Sequence, residues 1–378
     1  VSERWPRLRR LIGPLAVPFY RWAVSRRNRA YDEGRGVERV GVPVISVGNL
    51  TTGGTGKTPL VAWLVEHLDA ALERAGKPGR CAVALRGYRA DAHGRSDEAE
   101  EYRRRLPATP LMVNPDRAGA IRGVLQRAGV EGRDPPACVV LDDGFQHRRL
   151  ARDLDIVLLD ATRDPRRQGL LPAGDLREPV EALARAQAAV VTRAGDADAA
   201  VVESLERWAA GVLGPSGVAA VCEQVAGDCR VHDVSGAERG IMTPERVRAS
   251  HPVRVIVAGL GNPGPFVRQW ADGARRAERV LFEDHHRYGR ASVVRIAGAV
   301  RRAREAGEPV IVTTGKDWVK LEGVLRCAPE FREGGALAGL PVVVPTVSVR
   351  FRRGESVLLN RALGVIPVAQ GVSLPSPA

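Results

Sequence analysis

The apolar positions of the chain come in two rhythms. Short runs rich in Val, Ile and Leu at 44–47, 81–85, 138–141, 156–159 and 189–192 read as buried strands. Between them apolar residues recur every three or four positions. Leu60, Leu64, Leu68 and Leu72, with Val61 and Val65 beside them, line one side of a helix after the first run. Helices are likewise expected over 98–106, from Asp116 onward with Ile121, Val124 and Leu125 on one side, over 180–188, and over 199–213. A turn cluster at 214–217 follows, then strands at 218–222, 253–258, 310–313 and 342–349, with helices after Gly264 and Asp317. This alternation predicts an α/β protein: a P-loop NTPase-like parallel sheet flanked by helices, with a second, smaller α/β domain. The expected divisions are an N-terminal membrane-associating helix over 1–30, a first domain over 31–215, a second over 216–369 and a loose tail over 370–378.

The junction of the first strand and helix carries the sharpest chemistry. Gly48 to Gly56 is glycine-rich, and Lys57-Thr58 opens the helix. Without Cβ atoms, Gly53, Gly54 and Gly56 let backbone N–H groups, with that of Thr55, curl around phosphate oxygens, and the helix N-terminus adds about half a positive charge. Lys57 then reaches the β- and γ-phosphates of ATP, and the Thr58 hydroxyl is placed for Mg2+. Thr51 stands where a strict Gly-x4-Gly-Lys-Thr has glycine. An ordinary glycine-rich turn is the alternative, and the flanking strand and helix patterns favour the phosphate loop.

The run at 138–141 ends in Asp142-Asp143. An apolar strand ending in acids is the second half of such a site, a carboxylate holding Mg2+ opposite Thr58; capping of a turn is the other use of such a pair. Asp97 follows a polar stretch after the second strand and is either a catalytic acid or a helix N-cap. The segment 259–264 resembles a dinucleotide fingerprint only loosely, since Pro263 interrupts it, and a plain turn is the better reading. Asp284-His285-His286 reads equally as a metal pair or a surface turn, and Lys316 as an anion ligand or a solvated cation.

Charge and composition change the picture at the N-terminus. The net charge is +13, from 57 basic and 44 acidic side chains, which calls for a polyanionic partner. Within the first thirty residues eight arginines surround the uncharged run 11–20, and Trp5, Tyr20 and Trp22 bracket it. A helix needs roughly 20 apolar residues to span a bilayer, so this run is expected to lie in the interface, or else to dock on the protein's own core. The five cysteines show no Cys-x2-Cys spacing, which argues against a zinc site or a disulfide framework.

Read in order, Pro43–Asn49 with Gly53–Pro59, Leu141–Leu150, Leu171–Gly174, Leu176–Pro179, Asp284–His286 and Lys316-Asp317 are similar to the motifs of the tetraacyldisaccharide 4′-kinases, the lipid A kinases of Gram-negative bacteria. The resemblance runs from the N-terminal helix to about Val349. It implies transfer of the γ-phosphoryl of ATP to the 4′-hydroxyl of a lipid disaccharide 1-phosphate, at the cytoplasmic face of the inner membrane, by a peripheral, monomeric enzyme that uses Mg2+ and meets anionic lipids. By family pattern Asp97 is the base on the sugar hydroxyl and His285 its partner. Asp142, Asp143 and Glu178 match acids around Mg2+ or the reacting phosphate, and Arg117, Gln146 and Arg177 match polar residues that bind substrate in the cleft. The chain departs from the pattern at Arg89, Ser96, Asp175 and Gly315. Two readings compete with the lipid kinase: a P-loop ATPase that binds nucleic acid, and a nucleotide-gated membrane-surface protein without catalysis. The first of these lacks aromatics interleaved on a basic stripe, its arginines being concentrated beside an apolar run instead, and no nucleic acid is expected.

Overall fold

A computed structural model describes residues 4–53, 55–76, 80–87, 97–283, 286–332, 335 and 337–367, with the backbone alone for 4–12 and 97–98. The elements run α1 (Arg4–Asp32), β1 (Val44–Asn49), α2 (Lys57–Arg74), β2 (Cys81–Leu85), α3 (Asp97–Arg105), β3 (Leu111–Val113), α4 (Arg117–Val130), β4 (Cys138–Asp142), β5 (Leu154–Asp160), β6 (Ala188–Thr192), α5 (Ala199–Leu213) and β7 (Val218–Asp233). There follow β8 (Glu238–Met242), α6 (Pro244–Ser250), β9 (Val253–Gly259), α7 (Gly264–Ala271), β10 (Arg276–Phe282), α8 (Arg290–Arg304), β11 (Pro309–Thr313), α9 (Gly315–Cys327), β12 (Pro341–Arg353) and α10 (Glu355–Leu363). The α/β expectation holds.

Two compact units emerge, Val1–Gln224 with Val349–Ala378, and Val225–Ser348. The expected single cut near residue 215 is therefore two cuts, because the long strands β7 and β12 each pass from one unit into the other and α10 belongs to the first. The expected helix over 180–188 is a 3-10 turn at Val180–Arg185, and Ala188 already opens β6.

In the first unit the strand order is β3-β2-β4-β1-β5-β6-β7, all parallel. Strands β1, β2, β4, β5 and β6 are buried along their whole length, as expected for a parallel sheet covered on both faces. One face is covered by α2, whose Leu60, Leu64, Leu68 and Leu72 pack against Ile45, Val47, Val83 and Val140, with Leu358, Leu359 and Ala362 of α10 in the same cluster. Each such leucine contributes roughly 1.5–3 kcal/mol through burial. Helix α4 joins the opposite face through Ala118 and Ile121, and Asp116 caps it by accepting from Gly119 N at 3.2 Å.

In the second unit β10, β9, β11 and β12 are parallel neighbours, and β7 pairs antiparallel with β8. Helices α8 and α9 close its core through Val293, Ile296, Val300, Trp318 and Leu321. No helix among the described residues is long and apolar enough to cross a membrane.

Candidate active site

Strand β1 is central in its sheet, with β4 on one side and β5 on the other, so the loop after it opens at the carboxyl edge where parallel sheets hold ligands. Register brings Val47 opposite Asp142, which sets the end of β4 beside the start of the glycine loop. Two glycines are demanded by geometry there. A Cβ on Gly48 would lie 2.5 Å from Phe145 Cβ and 2.7 Å from its backbone N, so only glycine lets the 143–146 turn pass this close. Gly56 has φ +87, in the left-handed region that glycine adopts without strain, at the residue before α2. Gly53 is likewise left-handed, with φ +102, and Gly54 lies outside the described residues.

The loop is tied down at several points. Asn49 Nδ2 donates to the Thr51 carbonyl at 2.8 Å, Thr192 Oγ1 donates to the Thr55 carbonyl at 3.0 Å, and Thr52 N donates to the Asp175 carbonyl at 2.7 Å. The departure at Asp175 also has a partner, since its Oδ2 pairs with Arg163 Nη2 at 2.5 Å. Thr55 Oγ1 is buried and without a partner among the described residues.

Lys57 Nζ lies 3.3 Å from Asn49 Oδ1 and 3.5 Å from Asp143 Oδ1. Asp143 is turned out of the strand line by a left-handed backbone, φ +54, a conformation Asp tolerates better than most residues and one that clusters at functional sites. Its Oδ2 accepts from Arg177 Nη1 at 2.7 Å and its carbonyl from Arg117 Nη1 at 3.3 Å. Burial alone would raise the Asp143 carboxyl, yet Lys57 and Arg177 together hold it below the usual range. Gln146 bridges the same groups, donating through Nε2 to the Asn49 carbonyl at 2.9 Å and accepting from Arg177 Nη1 at 3.4 Å.

Asp142 is buried, and its Oδ2 accepts from Tyr102 Oη at 2.9 Å. Burial and the adjacent Asp142 charge push the Tyr102 phenol well up, so it remains a donor, and the Thr58 side chain engages the same hydroxyl. Thus Lys57, Arg117, Asp143, Gln146 and Arg177 share one set of contacts, and Thr58 and Asp142, their chain neighbours, meet through Tyr102. His147, on the same turn, is pushed down to about 4, by burial first and then by Arg117, Arg152 and Arg149, so it is neutral at pH 7.

Glu178 does not join the other acids through any recorded contact. It is fully buried; its Oε2 meets Asn28 Nδ2 at 2.7 Å and Arg185 Nη2 at 2.8 Å, while its Oε1 is buried without a hydrogen-bond partner among the described residues. Asp97 begins α3, and its side chain lies outside the description, as does all of His285. In the second unit the neighbouring His286 stacks on Phe282, ring centroids 4.4 Å apart, and its Nε2 is 2.9 Å from Ser292 Oγ. There Asp317 accepts from Gly259 N at 3.0 Å, Tyr288 Oη at 2.8 Å and Thr314 Oγ1 at 2.7 Å, which fastens the ends of three segments. Gly315 opens α9 with open space where a side chain would be. Lys316 follows it in the first turn.

The family model for tetraacyldisaccharide-1-P 4′-kinase matches residues 8–361. The chain belongs to the tetraacyldisaccharide-1-P 4′-kinase family. It is 34% identical over 374 residues to the tetraacyldisaccharide 4′-kinase of Anaeromyxobacter sp. (strain K), covering 93% of this chain and 90% of that one. It is 36% identical over 336 residues to that of Geobacter metallireducens, covering 83% and 89%. Among solved structures it resembles LpxK from Aquifex aeolicus in complex with ATP, with a TM-score of 0.64 and 25% identity over 95% of this chain and 99% of that one. Within this kinase family framework Asn49 and Tyr102 are additions to the site that the sequence reading passed over. Asn49 carried a faint signal, a carboxamide ending an otherwise apolar strand; Tyr102 carried none, because only the fold brings α3 to β4.

Proposed function

We propose that the protein transfers the γ-phosphoryl of ATP to the 4′-hydroxyl of a tetraacyldisaccharide 1-phosphate, working as a peripheral enzyme on the cytoplasmic face of the inner membrane. The observation that carries this reading is the glycine cradle with Lys57 and Asp143 held across it, in a chain that the kinase family matches over residues 8–361. The loop backbone from Gly53 to Thr58 binds the triphosphate, and Lys57 neutralises the oxygens on which charge gathers. The sugar oxygen forms its bond to the γ-phosphorus as the bond to the bridging β-oxygen breaks, and the hydroxyl proton passes to Asp97, with His285 orienting that carboxylate. Arg117, Gln146 and Arg177 fix the acids and face the substrate phosphates.

The residues present fit Mg2+. No group of three His, Cys, Asp or Glu able to hold a metal occurs among the described residues, and Mg2+ needs none, since it takes one or two carboxylates plus phosphate oxygens and waters. Thr58, Asp142 and Asp143 would hold it, and when bound it neutralises phosphate charge.

Helix α1 supports the membrane assignment. Leu15, Phe19 and Trp22 are 81%, 70% and 55% exposed on one helical face, and Arg26 and Arg29 continue that face at the next turns. Three apolar side chains followed by arginines match a bilayer surface with its phosphates below. Arg27, Arg35 and Arg149 also line an open cavity of about 540 Å³ at the foot of the helix.

Incubating the full chain with ATP, Mg2+ and tetraacyldisaccharide 1-phosphate in mixed micelles is expected to yield a lipid carrying a second phosphate at the 4′ position. An unmodified lipid in the presence of folded protein would overturn the assignment. For the membrane, the double variant Leu15→Ser, Phe19→Ser is expected to lose about tenfold or more in co-sedimentation with anionic vesicles. Unchanged sedimentation would show that this face does not meet lipid.

A further inference from the structure

Helix α1 has an inner face that the anchoring role does not use. Gly13 sits so close to the 169–178 segment that a Cβ on it would be 2.9 Å from Ala173 Cα. Two turns on, Tyr20 Oη donates to the Arg177 carbonyl at 2.8 Å, and after two more, Asn28 Nδ2 donates to Glu178 Oε2 at 2.7 Å. Arg148, from the turn after β4, closes the contact by donating to the Asn28 carbonyl at 3.0 Å. One helix thus grips one loop at three successive levels.

That loop carries Arg177, and its peptide is held from both sides. Its N–H donates to the Leu50 carbonyl at 2.8 Å, at the entrance of the glycine loop, while its carbonyl accepts from Tyr20. Its guanidinium reaches Asp143 at 2.7 Å, and Asp143 faces Lys57 at 3.5 Å. The path from the inner face of α1 to the phosphate lysine therefore has four members: Tyr20, Arg177, Asp143 and Lys57.

We propose that Tyr20 is a positioning residue for phosphoryl transfer, fixing the Arg177 peptide so that the seat of α1 on the bilayer sets how the Arg177 guanidinium is presented to Asp143. The proposal rests on the kinase reading above. Without the hydroxyl, the peptide between Leu176 and Glu178 gains freedom and Arg177 is no longer pinned on the acid. The ties of the nucleotide cradle to Asn49 and Thr192 do not run through the 169–178 loop, so nucleotide binding is expected to change less than turnover.

The test compares full-length Tyr20→Phe with Val24→Ala, a variant of the same helix that loosens inner-face packing at a buried valine but keeps the hydroxyl. Both are assayed for lipid phosphorylation on anionic vesicles and for thermal unfolding. Tyr20→Phe is expected to lower kcat about tenfold with KM for ATP within twofold of wild type, while Val24→Ala leaves kcat within twofold despite a lower melting temperature. Turnover of Tyr20→Phe within twofold of wild type would overturn the proposal, as would an equal kcat loss in Val24→Ala, which would mean that packing alone is being read. A wild type that phosphorylates no lipid is a separate result: it removes the kinase reading, and this proposal with it.

Discussion

Lys57→Ala is expected to reduce phosphoryl transfer by about 10³-fold or more while the protein stays folded. The ammonium contributes to the transition state, where charge gathers on the γ-phosphate oxygens. Its removal leaves little behind that is costly, because Asp143 keeps Arg177 and Asp142 keeps Tyr102. Steady-state kinetics with a parallel thermal melt would check both halves. A variant within tenfold of wild-type kcat/KM would mean that the triphosphate is not bound where the loop suggests.

The second large effect is on stability, and it concerns a residue with no part in the chemistry. Arg254 lies in β9 with no exposed surface, where burial and then Arg248 lower its pKa and the Asp272 charge only partly offsets them. Its guanidinium donates to four carbonyls: Arg248 at 2.9 Å, His251 at 2.9 Å, Trp270 at 3.0 Å and Asp272 at 3.0 Å. These oxygens belong to the last turns of α6 and α7 and the residues just beyond, where helices leave carbonyls unpaired and carry partial negative charge. One buried cation therefore caps two helices. Arg254→Ala removes the cation and strands the oxygens, so the second unit is expected to lose about 3–5 kcal/mol. Arg254→Lys, with charge but without the fork, should fall between. Hydrogen exchange of the β9 and β11 amides would read the loss. A change under about 1 kcal/mol would mean that water satisfies the carbonyls as well as arginine does.

How much was legible beforehand depended on whether a signal was local. The β1–loop–α2 unit reads directly, since strand periodicity, glycine content and the leucine stripe all lie within thirty residues. Asp142 and Asp143 stood out as acids ending an apolar strand, Arg177 only through the family resemblance, and the fold pairs Asp143 with Arg177. Strand β10 was missed because it is an edge strand, where charges such as Arg276, Glu278 and Arg279 interrupt the apolar pattern. Helix α8 was missed although Val293, Ile296, Ala297 and Val300 follow a helical period, its many arginines having masked the buried stripe. The partners of Glu178 were not legible, because Asn28 and Arg185 come from a distant helix and from a short turn expected to be a regular helix. The same holds for Tyr20 and Arg254, whose partners are backbone carbonyls and leave no mark in side-chain spacing.

The insertion of residues 225–348 inside the first unit constrains how the chain is made. The helix that begins at Lys57 emerges early from the ribosome, yet part of its cover, Leu358, Leu359 and Ala362, is synthesised about three hundred residues later. During translation the nucleotide-binding half is therefore left with a bare apolar flank until the inserted half has been completed, and a nascent chain stalled before Glu355 would be a client for chaperones rather than an early kinase.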